Sequence, residues 1–144
     1  MHHPIRVLFL CEGNADRSQM AEGLLRAQAG ERFEVHSAGI DPRPLDPLAV
    51  AAMQETGIDI SQQPSKHLND YEDMQFDYVV TLCERVVGTC LDFARDGHTL
   101  HWHCADPSDS PGSDADRLEA FRQAREEIKE HLDVWMKTLP VHGW

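Results

Sequence analysis

Apolar positions along this chain alternate between two patterns. Ile5, Val7, Leu8, Phe9 and Leu10 form a short, nearly continuous run, as expected of a strand buried on both faces of a parallel sheet. Met20, Leu24 and Ala27 then recur at helical spacing, with Gly30 as the stop. Phe33 to Ser37 reads as a second strand that ends in Ala38-Gly39 and a turn. Asp46 caps a second helix with Pro47 at its first position, and Ala49, Val50 and Met53 supply its apolar face up to Gly57. Residues 64–71 predict a short helix or an irregular connection. Phe76 to Leu82 is a β-branched third strand, and His98 to His103, following Gly97, a fourth. Ser113 with Asp116 three residues on opens a long helix carrying Leu118, Phe121, Ile128, Leu132 and Trp135 on one face.

Strands alternating with helices predict an α/β fold: a four-stranded parallel sheet with helices on both faces, joined by right-handed crossovers. The 144 residues suit a single domain spanning 1–144, with no repeat or linker. In such sheets the ligand sits beyond the carboxyl ends of the strands, at the switch point. Cys11, Cys83 and Asp106 each follow a predicted strand end, so the topology gathers them on one edge.

The stretch between the first strand and its helix, Cys11-Glu12-Gly13-Asn14-Ala15-Asp16-Arg17-Ser18, has the make-up of an oxyanion loop. Successive backbone N–H groups at the positive end of a helix dipole bind tetrahedral anions, and Arg17 adds a bidentate fork. The same field would lower the Cys11 thiol from its usual ~8.5 to roughly 7, giving a thiolate nucleophile, with Ser18 donating to the sulfur. An unreactive buried cysteine beside a capping arginine is the alternative. Glu12 and Asp16 oppose the loop's field: a carboxylate about 8 Å from the anion at an effective dielectric near 20 costs roughly 2 kcal/mol unless it points to solvent.

Net charge changes the picture less than cysteine placement does. At −12 the chain repels nucleic acid and anionic membrane surfaces, leaving small anions as the partner class. No stretch has the length of a secretory signal or a membrane span, which predicts a cytoplasmic protein; a monomer is expected. Four cysteines in an intracellular chain argue for catalytic or redox chemistry over a disulfide framework. If the segment joining Cys83 to Cys90 were helical, their Cα atoms would lie about 10 Å apart. A disulfide needs roughly 4.4–6.8 Å, so bridging them requires the segment to unwind. Val86, Val87, Gly88 and Thr89 are all mediocre helix formers. Two small buried residues without chemistry is the alternative. His101 and His103 would face one side of the fourth strand and Trp102 and Cys104 the other, a poor arrangement for a metal, so no metal or organic cofactor is expected.

The segment VLFLCEGNADRSQMAEG resembles the phosphate-binding loop of the low-molecular-weight protein tyrosine phosphatase superfamily. Ser37-Ala38-Gly39, Gly57 to Ser61, VTLCERVVGTC and HWHCADP, in matching order, are similar to its thioredoxin-coupled arsenate reductases. The resemblance implies that Cys11 attacks arsenate held by the loop, residues 12–18, and that Cys83 attacks Cys11 to release arsenite. Cys90 then attacks Cys83, and a thioredoxin-type reductant regenerates the pair. It implies that Asp106, fixed before Pro107, is the general acid, with a raised pKa. It also implies a loop-supporting set of Asn14, Glu22 and Ser37, which bind potassium in some relatives. Lys66 stands where a fourth, acidic ligand is expected, and its ammonium would take the cation's place. Ser108 and Asp109 stand where phosphotyrosine phosphatases carry tyrosines, which disfavours an aryl phosphate. Two other readings remain: a phosphatase using Cys11, Arg17 and Asp106 on phosphate monoesters, and a catalytically quiet oxyanion-binding or redox-sensing domain that takes phosphate or sulfate.

Overall fold

The computed structural model describes residues 4–83 and 98–139; Cys90 lies outside them. The strands β1 (Ile5–Cys11), β2 (Phe33–Gly39), β3 (Tyr78–Thr81) and β4 (Thr99–His101) form one sheet in the order β2-β1-β3-β4. Every pair is parallel. The chain leaves β1 towards β2 and returns on the other side to β3, so the order reverses at the carboxyl end of β1. Cys11 is the last residue of that strand.

Both faces of β1 are covered, which is why its sequence is an unbroken apolar run. Val7, Phe9 and Cys11 enter a core shared with α1 (Arg17–Ala29), α2 (Pro47–Gln54) and α3 (Asp114–Met136). Leu8 and Leu10 enter the opposite core with Ala38, Val79, Phe76 and a 3-10 helix, Leu68–Tyr71. Among the described residues one face therefore carries the three α-helices and the other the 3-10 helix.

The helices start where the sequence indicates. Asp46 Oδ1 accepts the Leu48 N–H at 2.9 Å ahead of Pro47, and Ser113 and Asp116 form a reciprocal capping box at α3. α1 gives way at Gly30, whose φ is 52°. α2 is shorter than predicted: it ends at Gln54, and a turn continues to Gly57. The third and fourth strands are also shorter than predicted. Phe76 precedes β3, and its ring packs on Tyr71 and His36. Beyond β4 the alternation persists without a ladder, with Trp102 and Cys104 buried and His103 exposed. No helix among the described residues is long and apolar enough to cross a membrane.

Candidate active site

The polarity of the loop after β1 is set from outside. The carbonyls of Glu12, Gly13 and Ala15 accept N–H bonds from Asp41, Arg43 and Asp46, each at 2.9 Å. The Asn14 carbonyl accepts from Gln19 Nε2 and Ser65 Oγ, both at 3.1 Å. With these carbonyls turned outward, the loop's N–H groups face the concavity, the arrangement of an anion nest. Asn14 bends the loop at φ 47°, a left-handed conformation unusual outside glycine. Its side chain offsets the strain: Nδ2 donates to Ser18 Oγ (2.8 Å) and Ser37 Oγ (3.0 Å), and Oδ1 accepts the Lys66 N–H (2.8 Å).

Behind Asn14 the predicted supporting set comes together. Ser37 Oγ donates to Glu22 Oε1 at 2.5 Å, and Lys66 Nζ reaches the same oxygen at 3.3 Å. Glu22 is 4% exposed and also pairs with Arg26 at 2.7 Å. Gly39 closes the back of the loop, because a Cβ there would lie 2.6 Å from the Glu12 carbonyl oxygen and 2.8 Å from the Asn14 nitrogen. Sequence reasoning missed the part played by residues 41–46, taken only as a turn followed by the Asp46 cap. The signal is Asp41-Pro42-Arg43-Pro44, in which prolines interrupt the donors the loop uses. It also missed Gln19, whose buried amide bridges the Asn14 backbone and side chain to the Pro64 carbonyl.

Arg17, the first residue of α1, is buried and fully committed in direction. Its Nη1 donates to the carbonyls of Leu82 (3.0 Å) and Cys104 (2.9 Å), tying the segments after β3 and β4 to the loop. Nη2 lies 3.5 Å from Asp106 Oδ2, and Nε lies 3.6 Å from Asp16 Oδ1. Cys83, next to Leu82, is half-buried and close enough to stabilise the guanidinium's charge, as Cys11 is. Cys11, Arg17, Cys83 and Asp106 thus meet around one guanidinium.

Two protonation expectations are corrected. The Cys11 thiol is pushed up, not down: burial is the largest cause and Asp16 adds to it, outweighing the 2.8 Å contact with Ser18 Oγ and the charge of Arg17. Replacing Ser18 by alanine should raise the thiol further and slow its alkylation by iodoacetamide about tenfold, the effect of losing one hydrogen bond to the anion. A rate equal to wild type would show that Ser18 does not touch the reactive sulfur. Asp106 is the second case. Burial pushes its carboxyl up, but hydrogen bonds from Ser108 N (2.9 Å) and Oγ (2.7 Å) together with Arg17 hold it below the ordinary range. The raised carboxyl is Asp16, pushed up to about 6 by burial first and by Asp106. Asp16 is 7% exposed, so it does not look into solvent. Glu12 is half-buried and lies 3.9 Å from Arg43. Cys104 is core, and burial pushes its thiol up to about 12.

The family model for low molecular weight phosphotyrosine protein phosphatase matches residues 6–142. The chain belongs to this family. Within it, the chain is 38% identical over 132 residues to the arsenate reductase of Halalkalibacterium halodurans, spanning 92% of this chain and 95% of that protein. It is similar to a solved arsenate reductase in the phosphate binding state, with a TM-score of 0.80 and 30% identity over 94% of this chain and 99% of the other. A thioredoxin-dependent arsenate reductase of Corynebacterium glutamicum superposes with a TM-score of 0.67 at 29% identity, over 96% of this chain and 66% of that one.

Proposed function

We propose that the chain reduces arsenate to arsenite by a thiol relay regenerated by a thioredoxin-type dithiol. The observation that carries this reading is the single buried guanidinium of Arg17, which faces Cys11 and Asp106 and holds the carbonyl next to Cys83. The amides of residues 12–18 and Arg17 bind the oxyanion, and the Cys11 sulfur attacks arsenic. One arsenic–oxygen bond breaks, and its oxygen leaves as water with the proton that the Cys11 thiol gives up, which the Asp106 carboxylate takes and passes on. The Cys83 thiolate then attacks the Cys11 sulfur; the sulfur–arsenic electron pair passes to arsenic, which leaves as arsenite. Cys90 attacks Cys83 and frees Cys11, and the reductant's two thiols reopen the Cys83–Cys90 bond. The names of the relatives support this substrate, and the presence of thiols at 83 and 90 supports the relay.

A phosphatase needs Cys11, Arg17 and Asp106 alone, and the family's name favours it as the second reading. Oxidation of NADPH with arsenate, thioredoxin and thioredoxin reductase, measured beside hydrolysis of an aryl phosphate, separates the two. Arsenate-dependent oxidation that Cys83→Ser abolishes supports the relay. Hydrolysis indifferent to Cys83 and Cys90, with no arsenate-dependent oxidation, replaces it with the phosphatase. Silence in both assays leaves an oxyanion-binding domain.

Lys66 supplies the positive charge behind the loop in this reading. Turnover should then be the same in sodium and potassium buffers. Lys66→Ala should cost about 1–2 kcal/mol in urea unfolding, because Glu22 stays buried with one cation fewer. Unchanged stability, or an activity that depends on potassium in the wild type, would remove that role.

A further inference from the structure

Asp16 has no task in the relay, yet it is built into the site. An N-cap aspartate ordinarily sits where water reaches it; this one is 7% exposed. Its Oδ1 accepts the Arg17 N–H at 2.5 Å and lies 3.6 Å from Arg17 Nε, two of the donors a tetrahedral anion in the loop would use. Arg17 Nε makes no hydrogen bond among the described residues. The same guanidinium faces both Asp16 Oδ1 (3.6 Å from Nε) and Asp106 Oδ2 (3.5 Å from Nη2), so the two carboxyls stand side by side and each raises or lowers the other's affinity for a proton. Two carboxyls sharing a site hold one proton more strongly than either would alone.

Among the described residues the other ionisable groups around this pair are Cys11 at the end of β1, Arg17 on α1 and Cys104 on the segment after β4, with Glu127 of α3 near enough to Cys104 to raise its thiol. Arg17 is the one cation among them. A dianion entering here meets, among the described residues, two carboxyls and a thiol across one guanidinium.

We propose that Asp16 makes the site selective for oxyanions that carry a proton: its carboxylate accepts a hydrogen bond from the ligand's own hydroxyl, and a tetrahedral anion of equal charge without that hydroxyl is rejected. A buried acceptor left facing an anionic oxygen is both unpaired and repelled, which is how a site made to bond a hydroxyl refuses the analogue lacking it. The Asp16 carboxyl, pushed up to about 6, lies close to the range in which phosphate-like oxyanions give up their second proton. Above that range the carboxyl pair has lost its proton, and the ligand's hydroxyl restores it.

This inference rests on the loop's being an oxyanion site, and the test keeps the two apart. At about pH 8 phosphate is chiefly the hydrogen-bearing dianion, with the charge and shape of sulfate but one proton more. Both are titrated by calorimetry into the Cys11→Ser protein, which removes the thiol's own ionisation, and into Cys11→Ser with Asp16→Asn, which keeps an oxygen to accept the Arg17 N–H. Phosphate should bind the first at least tenfold more tightly than sulfate, and the ratio should fall to within about twofold in the second, chiefly because sulfate gains. Sulfate binding to the first should strengthen as the pH falls below about 6, and binding to the second should not change. Asp106→Asn in the Cys11→Ser protein leaves the cap untouched and lets Asp16 ionise more easily, so the pH at which sulfate is lost should move down. Equal phosphate-to-sulfate ratios with aspartate and asparagine at 16, or a sulfate profile that ignores Asp106, would overturn the proposal while leaving the relay standing. Failure of either protein to bind either anion would instead remove the oxyanion site and the function built on it.

Discussion

Arg17→Lys should lower arsenate turnover by about 100- to 1,000-fold and destabilise the fold by about 3–5 kcal/mol. The guanidinium is a spacer as well as a charge. Its Nη1 bonds two carbonyls at 3.0 and 2.9 Å, on segments that no ladder joins to the loop, while Nη2 and Nε are turned towards Asp106 and Asp16. A lysine ammonium is a point charge on a flexible stem, and it cannot reproduce a planar fork that holds two carbonyls and faces an oxyanion together. Urea unfolding and phosphate affinity measure the two effects separately. Retention of phosphate affinity within about threefold would mean that the charge alone suffices and that the fork is structural.

Gly39→Ala should be nearly as damaging without removing any polar group. The added Cβ would stand 2.6 Å from the Glu12 carbonyl oxygen and 2.8 Å from the Asn14 nitrogen, and both are backbone, so neither can rotate away. The loop must shift, and its amides with it. Overpacking of this kind costs about 1–3 kcal/mol, and a displacement on the order of 1 Å costs about 100-fold in rate. The variant should melt as a folded protein and bind phosphate weakly. Wild-type affinity would show that β2 and the loop can part.

Much of this could be read from the chain because local signals and the global fold agree. The apolar run at Ile5 to Leu10, the Asp46-Pro47 cap and the Ser113–Asp116 box each predict an element that is present. The Asn14, Glu22, Ser37 and Lys66 cluster also came together as expected. What escaped prediction is set by backbone groups, which carry no residue signature. Beyond the ends of β3 and β4 the Leu82 and Cys104 carbonyls go to Arg17 and not to a neighbouring strand. The direction of the Cys11 shift was not readable either. A dipole and an arginine are visible in sequence, but whether an N-cap aspartate faces water or Asp106 depends on a segment some ninety residues away.

The three carbonyls of the loop that are held by Asp41, Arg43 and Asp46 bring a further consequence. That brace is made by the main-chain N–H groups of Asp41, Arg43 and Asp46, set around Pro42 and Pro44, and the side chains of Asp41 and Arg43 are exposed. Substitution at 41 and 43 should be cheap as long as a main-chain donor stays there, whereas Asp46 also caps α2 with its side chain. Insertion or deletion of one residue would throw the spacing out of step and misaim the nest, so over evolutionary time this stretch is free to drift in composition while its length stays locked.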